Sequence, residues 1–188
     1  MKHQEANRWK GFVLGLAGGA VGLIAMDSYW QWVAPLVTSW VSNQTSESSG
    51  HVEPQPLDSI SLIGKQYQEG ESSTAALGRI AYRALTGQEA QSQETKTTLS
   101  YLVHWIYGML QGGIYGAIRA AAGFLDIRGG LAFATGLWLF GDELTVPLLG
   151  LQGGPTSVPP RQHANRLGAH LAYGFGTAVT TQFLNRLL

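Results

Sequence analysis

The chain has no cysteine among its 188 residues, so neither a disulfide framework nor a thiolate metal site can be built from it. Charge is also scarce. Asp, Glu, Lys and Arg make up 13% of the residues, about half the share usual in soluble domains. Twelve Lys and Arg balance twelve Asp and Glu, leaving a net charge of zero. No basic excess is available to neutralise a phosphate backbone, which argues against nucleic acid as a partner. Nucleophile elbow, Walker loop, HExxH and dinucleotide fingerprint are all missing, so the chain reads as non-enzymatic. Glycine is the abundant residue: 25 of them, about double the usual share. The mean hydropathy is +0.02, neutral on average, so what matters is where the polarity sits.

It sits in one place. Residues from Gly11 to Met26, Ser28 to Val41, Thr97 to Ile118, Gly129 to Gly141, Leu144 to Pro160 and Leu167 to Asn185 carry no Asp, Glu, Lys or Arg. The stretch from Ser42 to Lys96 carries seven acids and four bases. A bilayer span needs about 20 apolar residues. Four segments have that length: 11–37, 98–120, 128–151 and 165–187. The expected fold is all-α and polytopic, with four transmembrane helices. Its divisions are 1–41 (N-terminus and first span), 42–96 (a polar insertion) and 97–188 (the other three spans), within one membrane domain. The basic N-terminus followed by an apolar run also resembles a secretory signal, but the run exceeds signal length and reads as a retained span. Lys2, Arg8, Lys10, Arg119, Arg128 and Arg186 flank one side, against Lys96, Arg161 and Arg166 on the other. The positive-inside rule then puts both termini in the cytoplasm and the insertion outside.

Within the insertion, Pro54 and Pro56 exclude a long helix early on. Ser73 or Thr74 can cap a helix that ends before Gly87. Its Leu77, Ile80, Ala81, Ala84 and Leu85 form an apolar stripe. Docking of that stripe over the bundle is the simplest expectation; the membrane surface or a partner could also receive it.

The spans carry a repeat. His104–Gly108 and His170–Gly174 both read H-x-x-Y-G, with Tyr107 and Tyr173 at the fourth position. The first and third segments share a G-L…D…P order, through Asp27 and Pro35 in one and Asp142 and Pro147 in the other. Two hairpin repeats that enter the membrane in the same direction are expected. Gly11, Gly15 and Gly19, then Gly112, Gly116 and Ala120, then Ala172, Gly176 and Thr180 recur every four residues. Such small-residue ridges let helix backbones approach closely; Gly108 and Gly174 add to them.

Depth arithmetic gathers the ionisable groups. At 1.5 Å per residue, His104 lies about 9 Å and His170 about 8 Å inside the outer ends of their spans. Asp142 and Glu143 stand about 21 Å, and Asp27 about 24 Å, above the inner ends of theirs. If these side chains face inward, Asp27, His104, Asp142, Glu143 and His170 form one polar layer, with Tyr107 and Tyr173 a turn deeper. An intramembrane ionisable group is a functional candidate because an unpaired one is costly in lipid. The layer could be a structural hydrogen-bond network, a proton or solute relay, or a zinc or iron site using His104, His170 and a carboxylate. It could also hold a haem between the two histidines, with Gly108 and Gly174 clearing room for the ring.

The stretch G-L-A-G-G-A-V-G-L-I in the first span is joined by an early histidine in the second. Val146 to Leu151 (V-P-L-L-G-L) follows, then Gly153-Gly154-Pro155 and Gly168-Ala-His170. This set resembles the YagU-like small bacterial inner-membrane proteins, which have no assigned molecular activity. The likeness covers the four spans and skips the insertion. It implies an inner-membrane location and a multi-pass topology. The expected role is a structural or accessory subunit, with the lipid bilayer and other membrane subunits or self-association as partners. A small transporter or proton conduit is the alternative, and a bis-His haem subunit a third.

Overall fold

The computed structural model describes residues 7–44, 55–120 and 126–188, and among them every regular element is helical. Helix α1 (Arg8–Ser28) passes without a break through a π-helical turn, Tyr29–Val33, into α2 (Ala34–Gln44). Asn7 caps its start, its side-chain oxygen accepting from the Lys10 N–H at 3.0 Å. Then come α3 (Ser73–Thr86), α4 (Gln93–Ile118) and α5 (Ile127–Gly136). A second π-helical stretch, Leu137–Thr145, leads into α6 (Val146–Leu148). A 3-10 turn at Pro155–Ser157 precedes α7 (Pro160–Leu187). Among the described residues one helix, Arg8–Trp40, is long and apolar enough to cross a membrane. Four such helices were expected. The second and fourth segments are diluted by tyrosine, glycine, glutamine and threonine, and the third carries the adjacent carboxylates Asp142 and Glu143.

The boundaries also shift. The first helix runs to Gln44 rather than 37, and α4 starts at Gln93, five residues before the expected span. Pro54 and residues 45–53 of the insertion lie outside the described residues.

The chain divides into two compact units. The first comprises the described parts of Met1–Ser46, Tyr107–Trp138 and His163–Leu188. Its interior is made of small residues. A Cβ at Gly15 would meet the Gly112 carbonyl, and one at Gly11 the Gly116 carbonyl. At Gly19 it would lie 2.7 Å from the Gly108 carbonyl oxygen. So α1 and α4 run antiparallel with their backbones in contact. On another side of α1, Gly18 and Gly22 receive Thr181, Thr177 and Tyr173 of α7. Gly130 of α5 and Gly174 of α7 pack backbone to backbone in the same way. At one end Tyr115 packs on Phe133 with ring centroids 5.5 Å apart. Arg119 Nε meets Asp126 Oδ2 at 2.6 Å. Burial raises the Asp126 carboxyl's pKa, but Arg119, the Gly129 N–H and the Tyr115 hydroxyl together outweigh that and hold it below the ordinary value.

The second unit comprises the described parts of Glu47–Ile106 and Leu139–Gln162. Ser72, one residue ahead of the expected caps, caps α3 through the Ala75 N–H. Gly87 ends the helix at φ +71, a conformation glycine adopts without steric cost. Gly78 lets α3 lie against α4, since a Cβ there would sit 2.9 Å from that of Leu99. The apolar stripe does not supply this contact. Leu77, Ala81, Ala84 and Leu85 are exposed, Leu85 at 86%, while Ala76 and Gly78 are buried. Within its own unit the stripe is left exposed.

The insertion's first part instead straps onto the segment that follows α6. Leu62 N–H donates to the Leu148 carbonyl at 2.9 Å, Gln66 N–H to the Gly150 carbonyl at 2.8 Å, and Gly154 N–H to the Asp58 carbonyl at 2.9 Å. Gly150 sits at φ +64, and a Cβ on it would run into the Gly64 carbonyl.

Candidate functional site

In the first unit the two H-x-x-Y-G motifs touch. Tyr173 is 2% exposed and donates its hydroxyl hydrogen to the Gly108 carbonyl at 2.7 Å. Tyr107, at the matching position, is 50% exposed, so the motif's two copies are not equivalent. His170 uses Nδ1 locally, 2.8 Å from the Arg166 carbonyl one turn back. A carbonyl only accepts, so Nδ1 carries the hydrogen of this contact. Asp27 lies on an exposed face of α1 rather than facing inward, because depth fixes height along a helix but not the direction around it.

Expected packing residues Gly15, Gly19, Gly112 and Gly116 form the α1–α4 seam. In α7, Tyr173, Thr177 and Thr181, at i, i+4 and i+8, receive Gly18 and Gly22 of α1, and Gly176 of the expected row packs beside them against Gly22 and Ala25. The neighbourhood of Gly108 is filled by Leu23, and that of Gly174 by Gly130 and Ala134. Neither glycine opens the gap a haem ring would need.

One polar cluster escaped sequence reasoning. Asn165, buried in α7, accepts from the Tyr29 hydroxyl at 3.3 Å and donates to Thr38 Oγ1 at 2.9 Å. It ties α7 to both the first π turn and α2. No sequence signal marked it: Asn165 stands among Arg161, Gln162, His163 and Arg166, where one more polar residue draws no notice.

His104, Asp142 and Glu143 belong to the second unit. His104 lines a cleft of about 400 Å³ between α4 and the start of α3, together with Glu71, Thr74, Lys96, Ser100 and Tyr101. Thr74 and Ser100 hydroxyls meet at 2.8 Å across it. One wall is fixed by Arg79. Its guanidinium binds both carboxylate oxygens of Glu71, at 2.9 and 3.0 Å, and the Gln66 carbonyl at 2.6 Å. The Arg79 bond is the main reason the Glu71 carboxyl titrates below its usual range, against an opposing effect of burial. Asp142 and Glu143 lie inside the second π stretch, where the Asp142 carbonyl accepts from the Gln152 side-chain amide at 2.5 Å. Such a stretch breaks the i→i−4 ladder, and Gln152 supplies a donor there.

Among the described residues no group of three or more His, Asp or Glu is placed to hold a metal ion. No family model, curated protein or solved structure matches the chain.

Proposed function

We propose that this chain is a multi-pass membrane protein whose four apolar segments associate through glycine faces, and that it serves as a structural or accessory subunit of a membrane assembly. The carrying observation is the inversion of side-chain size in the first unit. Its buried positions are mostly glycine, alanine and threonine, while Val13, Ile24, Leu110, Ile114, Ile118 and Phe183 point outward. In water that arrangement would expose the large apolar side chains and gain little from burying the small ones. In lipid the outward side chains are solvated by acyl chains, and close backbone approach is what holds helices together.

Tryptophans agree with the span length. Trp9 and the pair Trp30 and Trp32 are exposed on the first helix, roughly 32–35 Å apart along its axis, against a hydrocarbon core of about 30 Å. They fit two interfacial belts. Asp27 would then lie within about 5 Å of the outer belt, where its carboxylate reaches headgroup water. The YagU-like resemblance, the bacterial inner membrane and cytoplasmic termini belong to the same proposal.

Because the chain lacks cysteine, single cysteines can be added at Asn7, Gln88, Asp126 and Leu188 and labelled in intact spheroplasts with a membrane-impermeant maleimide. Labelling at position 88 alone is expected. Labelling at all four sites would overturn the topology. The subunit role predicts recovery of a larger complex in mild detergent, and a lone monomer would count against it.

A second reading draws on the second π stretch. π-Helical turns occur frequently at functional sites, and this one contains Asp142 and Glu143. A proton or solute conduit through these carboxylates predicts flux into proteoliposomes that Asp142→Asn abolishes. Equal tightness of the two proteins would sink that reading.

A further inference from the structure

Leu62 and Ile63 are adjacent, 78% and 61% exposed, and set in an insertion dominated by Ser, Gln and Glu. Their turn is closed by hydrogen bonds. The Ser61 hydroxyl donates to the Gly64 carbonyl at 2.9 Å and accepts from the Ile63 N–H at 3.3 Å. The Gln66 side-chain amide donates to the Ile63 carbonyl at 3.1 Å, and Gly64 closes the turn at φ +83. The backbone bonds from Leu62 and Gln66 fasten both flanks to Leu148 and Gly150. The next residue, Lys65, holds its ammonium 4.6 Å from the centre of the Tyr67 ring.

We propose that the Leu62–Lys65 turn is a lipid anchor: Leu62 and Ile63 enter the leaflet at the α6 end of the third apolar segment, and Lys65 meets its anionic headgroups. This rests on the membrane reading above. Two observations favour lipid over protein as the occupant. The turn is bonded to the end of the third apolar segment, whose own Leu144 and Leu149 are exposed, so it sits where that segment would leave the hydrocarbon. A stable protein interface, moreover, engages about 20–30 residues a side. A protruding pair of aliphatic side chains next to a lysine matches instead the apolar-plus-basic chemistry of an interfacial anchor. The prefixed geometry also spares the anchor the cost of ordering on insertion.

Single-cysteine forms of the full chain, Ile63→Cys, Phe140→Cys and Gln88→Cys, each carrying a nitrobenzoxadiazole label, would be reconstituted in phosphatidylethanolamine–phosphatidylglycerol vesicles with a share of shallow doxyl-labelled lipid. Circular dichroism matching the unaltered chain would establish folding of each variant. The anchor predicts blue-shifted emission at position 63, quenched by the doxyl lipid as at position 140, with position 88 unquenched. Quenching at 140 without quenching at 63 overturns the anchor and leaves the membrane reading standing. Blue-shifted but unquenched emission at 63 also overturns it, since protein then covers the turn. No quenching at 140 removes the membrane reading and the anchor with it.

Discussion

The hydroxyl of Tyr173 donates to the carbonyl oxygen of Gly108 at 2.7 Å, so the tyrosine of one H-x-x-Y-G motif is fastened to the glycine of the other. Gly108 can play this part because it has no side chain, its surroundings being closed by Leu23. Tyr173→Phe removes the donor and leaves the packing intact. The expected loss is about 1 kcal/mol of stability, the typical value of a single hydrogen bond, read by unfolding in mixed detergent. Tyr107→Phe is expected to lose less, because Tyr107 is half exposed. Equal losses would mean that the contact between motifs is not what distinguishes them.

Glycine content alone does not say which glycines matter. A Cβ on Gly112 would lie 2.5 Å from both the Gly15 carbonyl oxygen and the Gly19 Cα, all of it backbone that cannot swing aside. Gly112→Ala is therefore expected to force α1 and α4 apart and to cost roughly 1–3 kcal/mol, as overpacking does. A Cβ on Gly136 meets nothing within 4 Å. Gly136→Ala should gain about 0.5–1 kcal/mol from the lower conformational freedom of alanine in a helix. Thermal unfolding of the two variants side by side tests the sign of each. A destabilised Gly136→Ala would show a contact at that face.

How much of this could be read in advance depends on what carries each contact. The strips Gly11, Gly15, Gly19 and Gly112, Gly116 were legible because glycine every four residues makes a flat face on a helix, whereas their facing each other was not, since spacing along one helix does not name its neighbour. The second face of α1, Gly18 and Gly22, was not, because its partners Thr177 and Thr181 are polar and look like interruptions of an apolar stretch. Depth arithmetic set Asp27 level with its candidate partners but left its azimuth open, and the carboxylate lies on the exposed side. The strap was invisible for another reason. Its bonds join backbone groups of Leu62 and Leu148, or Gln66 and Gly150, and no side-chain pattern encodes a backbone pairing across more than eighty residues of chain.

Acid should loosen the start of α3. The Glu71 carboxyl is held below its ordinary pKa, first by the hydrogen bonds from Arg79, and its folded value therefore lies under its unfolded one. Its contribution is fully present above the unfolded value, about 4.3. It is lost as pH falls through the folded value. Unfolding midpoints of the unaltered chain are thus expected to drop below about pH 4.3, and Glu71→Gln to flatten that part of the profile. At pH 7 the same substitution should cost about 1.5–3 kcal/mol, the range for hydrogen bonds to a charged group. An unchanged acid profile in Glu71→Gln would assign the acid sensitivity to another carboxylate, for which Asp126, also depressed, is the next to test.

The strap stands or falls on Gly150. Its φ of +64 suits glycine, and a Cβ there would run into the Gly64 carbonyl. Gly150→Ala thus meets two obstacles together, a left-handed backbone costing about 1–2 kcal/mol for an L-residue and a clash with the strap. The strap can move, since residues 55–67 hold on mainly through the bonds at Leu148, Gly150 and Gly154, whereas the helices cannot. Detachment rather than global unfolding is expected. Trypsin should cut after Lys65 several times faster in Gly150→Ala, with the helical circular dichroism retained. Gly70→Ala provides the comparison: it shares the positive φ, at +73, but a Cβ there meets nothing, so strain without a clash should leave the cleavage rate at Lys65 unchanged. Equal acceleration in both variants would trace the effect to loop strain and leave Gly150 no special part in holding the strap.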